Sequence, residues 1–341
     1  MLFEARSRSS FDFVTLLNDI LPCVQSSTAS PQHRVGAAVV ALKVASDVGP
    51  SAILDTIYWE IEPFLKTEQI DPVAGLEAEI IYQTMRGTQD LDVELLERFS
   101  LTARSLHGEV AYSHALIACS SSCRVAGRDA DAARFIHAAF EHAVSHKLGA
   151  RVAVVLLSTV RLHVAAANWV AARAALSTLQ QYPLADEDKN TRAEWNFFDG
   201  RVALEEGDLR RADAAVSKLE IVPQWHSAGR NAACLALTLR VKLALGCEVD
   251  VINSLVRDLE STHRINRDIA NQDFEAYALF LGLVALGEKR RGLDLLKEYV
   301  HEYRGTRRPL SNDIREVVRP HEGDSKNGVR RPPSLNSDRT I

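Results

Sequence analysis

The chain is poor in aromatic side chains, which make up 6% of its 341 residues, and it is rich in alanine. Small side chains let helices approach closely and alanine has the highest helix propensity, so this balance favours helix-on-helix packing over sheets. Long apolar runs are missing too. The most apolar stretch, Val152 to Val160, contains Ser158 and Thr159 and is too short to span a bilayer. The opening segment MLFEARSRSSFDFVTLL lacks the continuous apolar core of a secretory leader. A cytoplasmic protein without membrane attachment is the expectation.

Paired cysteines are absent. The five cysteines, at 23, 119, 123, 234 and 247, are odd in number and suggest no disulfide framework, so free thiols in a reducing compartment account for them. An excess of basic charge is lacking as well. The formal charge is −5 and the isoelectric point about 6.1, which argues against nucleic acid as a partner. Hydrophobic residues at 46% and charged residues at 25% are the balance of a folded soluble chain.

The signatures of catalysis are missing in turn. Neither GxGxxG nor GxxxxGK occurs, so no phosphate loop is read, and no GxSxG elbow or protease-like cysteine is present. Asp129 and Asp131 flank a helix start, where carboxylates complement the dipole, and Glu205, Glu206 and Asp208 at a turn read as solvated. Cys119 and Cys123 are four apart with His114 upstream; His142 and His146 are four apart with His137 behind them. Such spacing can place two ligands on one face, yet no third and fourth ligand arrives at a diagnostic spacing, and there is no CxxC or HExxH. No metal site, cofactor or catalytic residue is assigned.

What is present is a repeat. Steps of 40 from Ala132 reach Ala172, Ala212, Ile252 and Gly292, each four or five residues after a turn and at the start of an apolar helical stripe. The clearest unit is Arg192 to Pro223. Its first helix is broken at Gly207-Asp208, and its second carries Ala212, Val216 and Leu219 on one face. The column of Val216 reads Thr56, Leu96, Ile136, Leu176, Val216, Val256, Leu296, apolar except at Thr56. The column of Leu219 reads Trp59, Phe99, Ala139, Leu179, Leu219, Leu259, Tyr299. A turn column reads Gly87, Gly127, Gly207 and Gly287, with Ala167 and Cys247 as exceptions. First helices are therefore predicted near 32–46, 72–86, 112–126, 152–166, 192–206, 232–246 and 272–286, each followed by a second.

The expected organisation is an all-α solenoid of about seven antiparallel helix pairs with a 40-residue period. It comprises an N-terminal capping helix within 1–31, the array over 32–303, a short helix within 304–319 and a disordered polar tail over 320–341. Tyr182 to Asn190 and Glu260 to Asp268 read as loops between repeats.

The unit resembles a tetratricopeptide repeat. Gly200, Gly207-Asp208-Leu209, Ala212, Val216 and Pro223 match that family's hairpin in order; Trp169, Ala172, Leu176 and Pro183 match in part, and Gly292 replaces the alanine of the last unit. The resemblance covers roughly residues 112–300 and weakly 30–110, and departs in period, 40 residues against the family's 34. A HEAT-like array therefore stays open. The resemblance implies a right-handed superhelix whose first helices line a concave face that binds protein or peptide. The face would include His114, Arg124, Arg161, Glu194, Phe197, Arg201, Phe274 and Tyr277. Arg161 and Arg201 share a column and could clamp a carboxylate, or instead pair with Glu194 and similar neighbours. A later basic cluster, Lys289, Arg290, Arg291, Arg304, Arg307, Arg308, Arg315 and Arg319, reads as helix-end charge. A non-enzymatic adaptor or regulatory module is the expected function. The sensor half of a bacterial-type signalling or transcriptional system, responding to a small anionic ligand, is the alternative.

Overall fold

In the computed structural model, the structure describes residues 13–48, 51–86, 91–182, 189–220, 228–263, 272–303 and 311–322. The fold is all-α, with 85% of it helical and no strand among the described residues. The helices are α1 (Phe13–Gln25), α2 (Pro31–Val48), α3 (Ser51–Ile61), α4 (Pro72–Met85), α5 (Val93–Val125), α6 (Asp129–Ser145), α7 (Gly149–Ala165) and α8 (Trp169–Leu179). There follow α9 (Lys189–Glu205), α10 (Leu209–Glu220), α11 (Ala228–Ala244), α12 (Val249–His263), α13 (Gln272–Ala285), α14 (Lys289–Tyr303) and α15 (Asn312–Glu322). A 3₁₀ turn, Glu62–Phe64, closes α3.

Helix ends follow from local chemistry. Asp71 caps α4 by accepting from the Val73 N–H at 3.0 Å, and Pro72 fills the first turn, where its missing N–H costs nothing. Asp92, Asn168 and Asp208 cap α5, α8 and α10 in the same manner. Several helices stop at a residue in the left-handed region. After Gly207 (φ 78°) the Asp208 N–H returns to the Ala203 carbonyl at 2.9 Å, which satisfies an orphan acceptor. Ala167 has φ 53° at the matching place, so an L residue holds the conformation that glycine holds elsewhere. In the unit after Gly207 the left-handed residue is Gly246 (φ 68°), one position ahead of Cys247 in the turn column. Gly87 lies outside the described residues.

Helices pack in adjacent pairs: α5 on α6, α7 on α8, α9 on α10, α11 on α12 and α13 on α14. The first members also touch one another along the chain, α4 on α2, α7 on α5, α9 on α7, α11 on α9 and α13 on α11. The second helices bury their stripe. Ala132, Ala172, Ala212, Ile252 and Gly292 are all buried, as are Leu96, Ile136, Leu176, Val216, Val256 and Leu296. Glycine stands at 292 where Phe280 crowds the site: a Cβ there would lie 3.1 Å from Phe280 Cδ2.

The structure departs from expectation in four places. Trp59 is 61% exposed, because α3 turns Leu54, Ile57 and Ile61 inward and leaves the Thr56 and Trp59 columns outside. No loop separates the second unit from the third; α5 runs through Gly108 (φ 80°, ψ −169°), a single non-helical residue dividing 93–107 from 109–125. Helix α12 continues to His263, so Glu260 to His263 are helical, and Lys189 and Asn190 already belong to α9. Helix α15 passes Pro320 to end at Glu322. The remainder of the expected tail, 323–341, lies outside the described residues, as do Gly49-Pro50 and Arg304, Arg307 and Arg308.

Candidate functional site

On α9, Glu194, Phe197 and Arg201 recur at the spacing of one helical face. Arg161 of α7 donates from Nε to Glu194 Oε1 at 2.6 Å, and its Nη2 pairs with the same carboxylate. On the other side, the Arg201 guanidinium lies 4.2 Å from the centroid of Phe274 on α13. Arg240 of α11 approaches the same ring at 5.2 Å and Tyr277 at 5.7 Å. Arg240 Nη1 also donates to Glu205 Oε1 at 2.7 Å. Phe197 meets Phe274 edge-on at 6.5 Å and 88°. Six of the eight expected face residues thus form one strip across three first helices, joined through α11.

The strip corrects one expectation and decides between two others. Phe197 and Phe274 are 3% and 5% exposed, so neither ring is open to a partner. Phe274 serves as the surface on which two guanidiniums lie, a contact worth about 0.5–2 kcal/mol. Of the two readings of the arginine column, Arg161 takes the pairing with Glu194, while Arg201 places its guanidinium on Phe274. Tyr277 stays half-buried, and burial, then the Asp313 carboxylate, pushes its phenol pKa up.

Arg240 and Glu205 are the strip residues that sequence reasoning missed. Glu205 is not simply solvated, since it faces Arg240 across helices, and Glu206 pairs with Arg173, which also binds buried Asp199. Asp131 likewise pairs with Arg128 at 2.7 Å while both aspartates occupy the first turn of α6. In the late basic cluster, Arg291 pairs with Glu260 and Glu288.

His114 and Arg124 lie apart from the strip, on α5. His114 is exposed and lines an open pocket of about 320 Å³ between α4, both arms of α5 and α7. It is lined by apolar side chains, among them Val73, Phe99 and Val110, and by His107, His114, Arg151 and Glu77. His107 Nε2 lies 3.1 Å from Asp71 Oδ2, tying the pocket to the cap of α4. Arg124 is half-buried in the last turn of α5.

Of the groups weighed as metal ligands, Cys119 and Cys123 belong to the core. Both are fully buried, and Cys119 Sγ donates to the Leu96 carbonyl at 3.4 Å. Burial, then the neighbouring Asp131, pushes the Cys123 thiol up to about 12, and burial raises Cys119 likewise; both stay neutral near pH 7. His137 pairs with Glu141 in solvent at 3.2 Å.

His142 and His146 have a different setting. The kink at Gly108 brings Glu109, the next residue, against α6. Glu109 Oε2 lies 3.2 Å from His142 Nε2 and 4.0 Å from His146 Nε2. His142 is 8% exposed, its ring edge-packed by Tyr112, and its Nε2 is 3.1 Å from the Glu109 carbonyl. Arg104 donates to Glu109 Oε1 at 3.2 Å. These three groups are the one cluster of imidazole, thiol or carboxylate ligands close enough to share an ion among the described residues. The sequence hid it because Glu109 is 33 positions from His142 and no spacing rule connects them.

Among the described residues no helix is long and apolar enough to cross a membrane. No protein-family model matches the chain, and no curated protein matches it.

Proposed function

We propose that the chain is a tetratricopeptide-like repeat module that works by binding rather than catalysis. In this reading about seven helix pairs wind into a right-handed superhelix with a repeat near 40 residues, and the first helices form a face that holds a protein or peptide partner. The observation that carries the proposal is the strip itself: residues of α7, α9 and α13 that share the expected face meet, α7 with the next first helix α9 and α9 with α13 beside Arg240 of α11. Helix-to-helix ion pairs extend the same relationship, from Lys43 to Glu77 and from Glu205 to Arg240. Tyr277 is the strip's aromatic group left for a partner; Arg240 lies 5.7 Å from its ring, and the carboxylates of Asp313, Glu205 and Glu316 act on it too, which suits a segment of mixed polarity.

The test is site-specific photo-crosslinking from Tyr277, with a control crosslinker at Val170, which is 82% exposed at the start of the second helix α8. Incubated with lysate of the source cells, Tyr277 should capture a discrete protein that Val170 does not. Equal capture from both positions would remove the first-helix face as the binding surface.

The pocket at His114 favours a second reading, the sensor half of a cytoplasmic signalling or transcriptional system with a small anion as its signal. Its lining brings two imidazoles and the Arg151 guanidinium together beside apolar side chains, and its one carboxylate, Glu77, is paired with Lys43. A thermal-shift screen with small carboxylic acids decides it, because a ligand that binds the folded state raises Tm.

A further inference from the structure

The Glu109–His142–His146 cluster has a use that the partner-binding face does not require. His142 and His146 lie four apart on α6 with ring centroids 4.1 Å apart, so both present nitrogen to one side. One ligand atom from each histidine and from Glu109 lies within 4.8 Å of the others. Ligands around a tetrahedral zinc ion stand about 3.4 Å apart, given bonds of roughly 2.0–2.1 Å. The observed 3.2 and 4.0 Å separations are close to that before any side chain adjusts.

Two further observations point to a cation. Glu109 Oε2 is buried and makes no well-aligned hydrogen bond, although Arg104 Nε lies 3.1 Å and His142 Nε2 3.2 Å from it; Oε1 accepts from Arg104. A metal ion would give this oxygen the directed partner that neither nitrogen supplies. Then, His146 Nδ1 lies 3.0 Å from the His142 carbonyl. A proton donated there leaves the Nε2 lone pair toward Glu109, which is the tautomer and outer hydrogen bond that ligating histidines use. The Tyr112 edge at 4.9 Å fixes the His142 ring.

We propose that Glu109, His142 and His146 bind a divalent transition ion of the zinc type. Two imidazoles and a carboxylate suit zinc and its neighbours better than calcium or magnesium. His146 is exposed, so the fourth position opens to water or to a partner's side chain. The ion replaces the His142 Nε2 contact to the Glu109 carbonyl and staples the kink of α5 to the end of α6.

The experiment uses the full chain stripped with chelator, titrated with Co²⁺ as a visible probe and then with Zn²⁺ in competition. Wild type is compared with His146→Ala, Glu109→Gln and the Cys119→Ala/Cys123→Ala pair, each checked for helicity. One equivalent of cobalt should bind with the spectrum of nitrogen and oxygen ligands and leave when zinc is added. Affinity should fall at least about tenfold in His146→Ala and in Glu109→Gln and stay unchanged in the cysteine pair. Zinc should raise the Tm of wild type and not of His146→Ala. No cobalt binding, binding that survives both substitutions, or a thiolate-to-cobalt band overturns the proposal and leaves the cluster as a hydrogen-bonded clamp at the kink.

Discussion

Arg161 on α7 and Glu194 on α9, 33 positions apart, are joined by a 2.6 Å hydrogen bond from Nε to Oε1. Both side chains are partly buried, so the pair is shielded from water more than an ordinary surface ion pair. A double-mutant cycle with Arg161→Ala and Glu194→Ala should give a coupling of about 1 kcal/mol in urea unfolding. Strictly additive single effects would mean that the contact contributes nothing to holding α7 against α9.

The left-handed turn residues give an opposed pair of substitutions. Ala167→Gly should stabilise by about 1 kcal/mol, because an L residue is strained at φ 53°. Gly207→Ala, at φ 78°, should destabilise by a similar amount. Both are read as shifts of the urea midpoint at constant m-value. Shifts of the same sign for the two variants would contradict the turn geometry.

These turns also show how far the sequence reached. Apolar spacing along a helix is local information, so Ala132, Ala172 and Ala212 could be recognised as buried before any coordinates. Likewise, glycine before a new stripe marks a helix end, which made Gly127, Gly207 and Gly287 legible. Trp59 was misjudged because the first unit slips its inward face toward Ile57 and Ile61, and an aromatic side chain looks apolar whichever way it points. Phe274 was misjudged for another reason. Its cover is Arg201 and Arg240, residues on two other helices, and charged residues on a helix face read as solvent-facing until their aromatic partner is placed. Glu109 was invisible because a one-residue kink, rather than a loop, delivers it to α6.

The buried thiols predict an alkaline weakness. Cys119 and Cys123 are neutral in the fold, with Cys123 raised from 9.0 to about 12 by burial and then by Asp131, and Cys119 raised by burial. The unfolded chain releases these protons first. The stabilising contribution is therefore complete below pH 9 and is lost as pH rises from 9 toward 12. Each thiol removes about 1.4 kcal/mol per pH unit in that window. Tyr58, raised from 10.0 to about 12 mainly by burial, adds a loss of the same sign above pH 10. In reducing buffer, urea unfolding from pH 8.5 to 10.5 should show a steeper fall for wild type than for Cys119→Ala/Cys123→Ala. Parallel profiles would place the thiols in contact with water.

The shape of the whole chain in solution tests the account most directly. A compact globule of 341 residues has a radius of gyration of about 20 Å. Small-angle X-ray scattering should give a value clearly above this, with a pair-distance distribution skewed to long separations, because the proposed superhelix stacks its helix pairs along one line and cannot close into a sphere. A radius near 20 Å with a symmetric distribution would contradict the superhelix, and the first-helix face proposed for the partner would go with it.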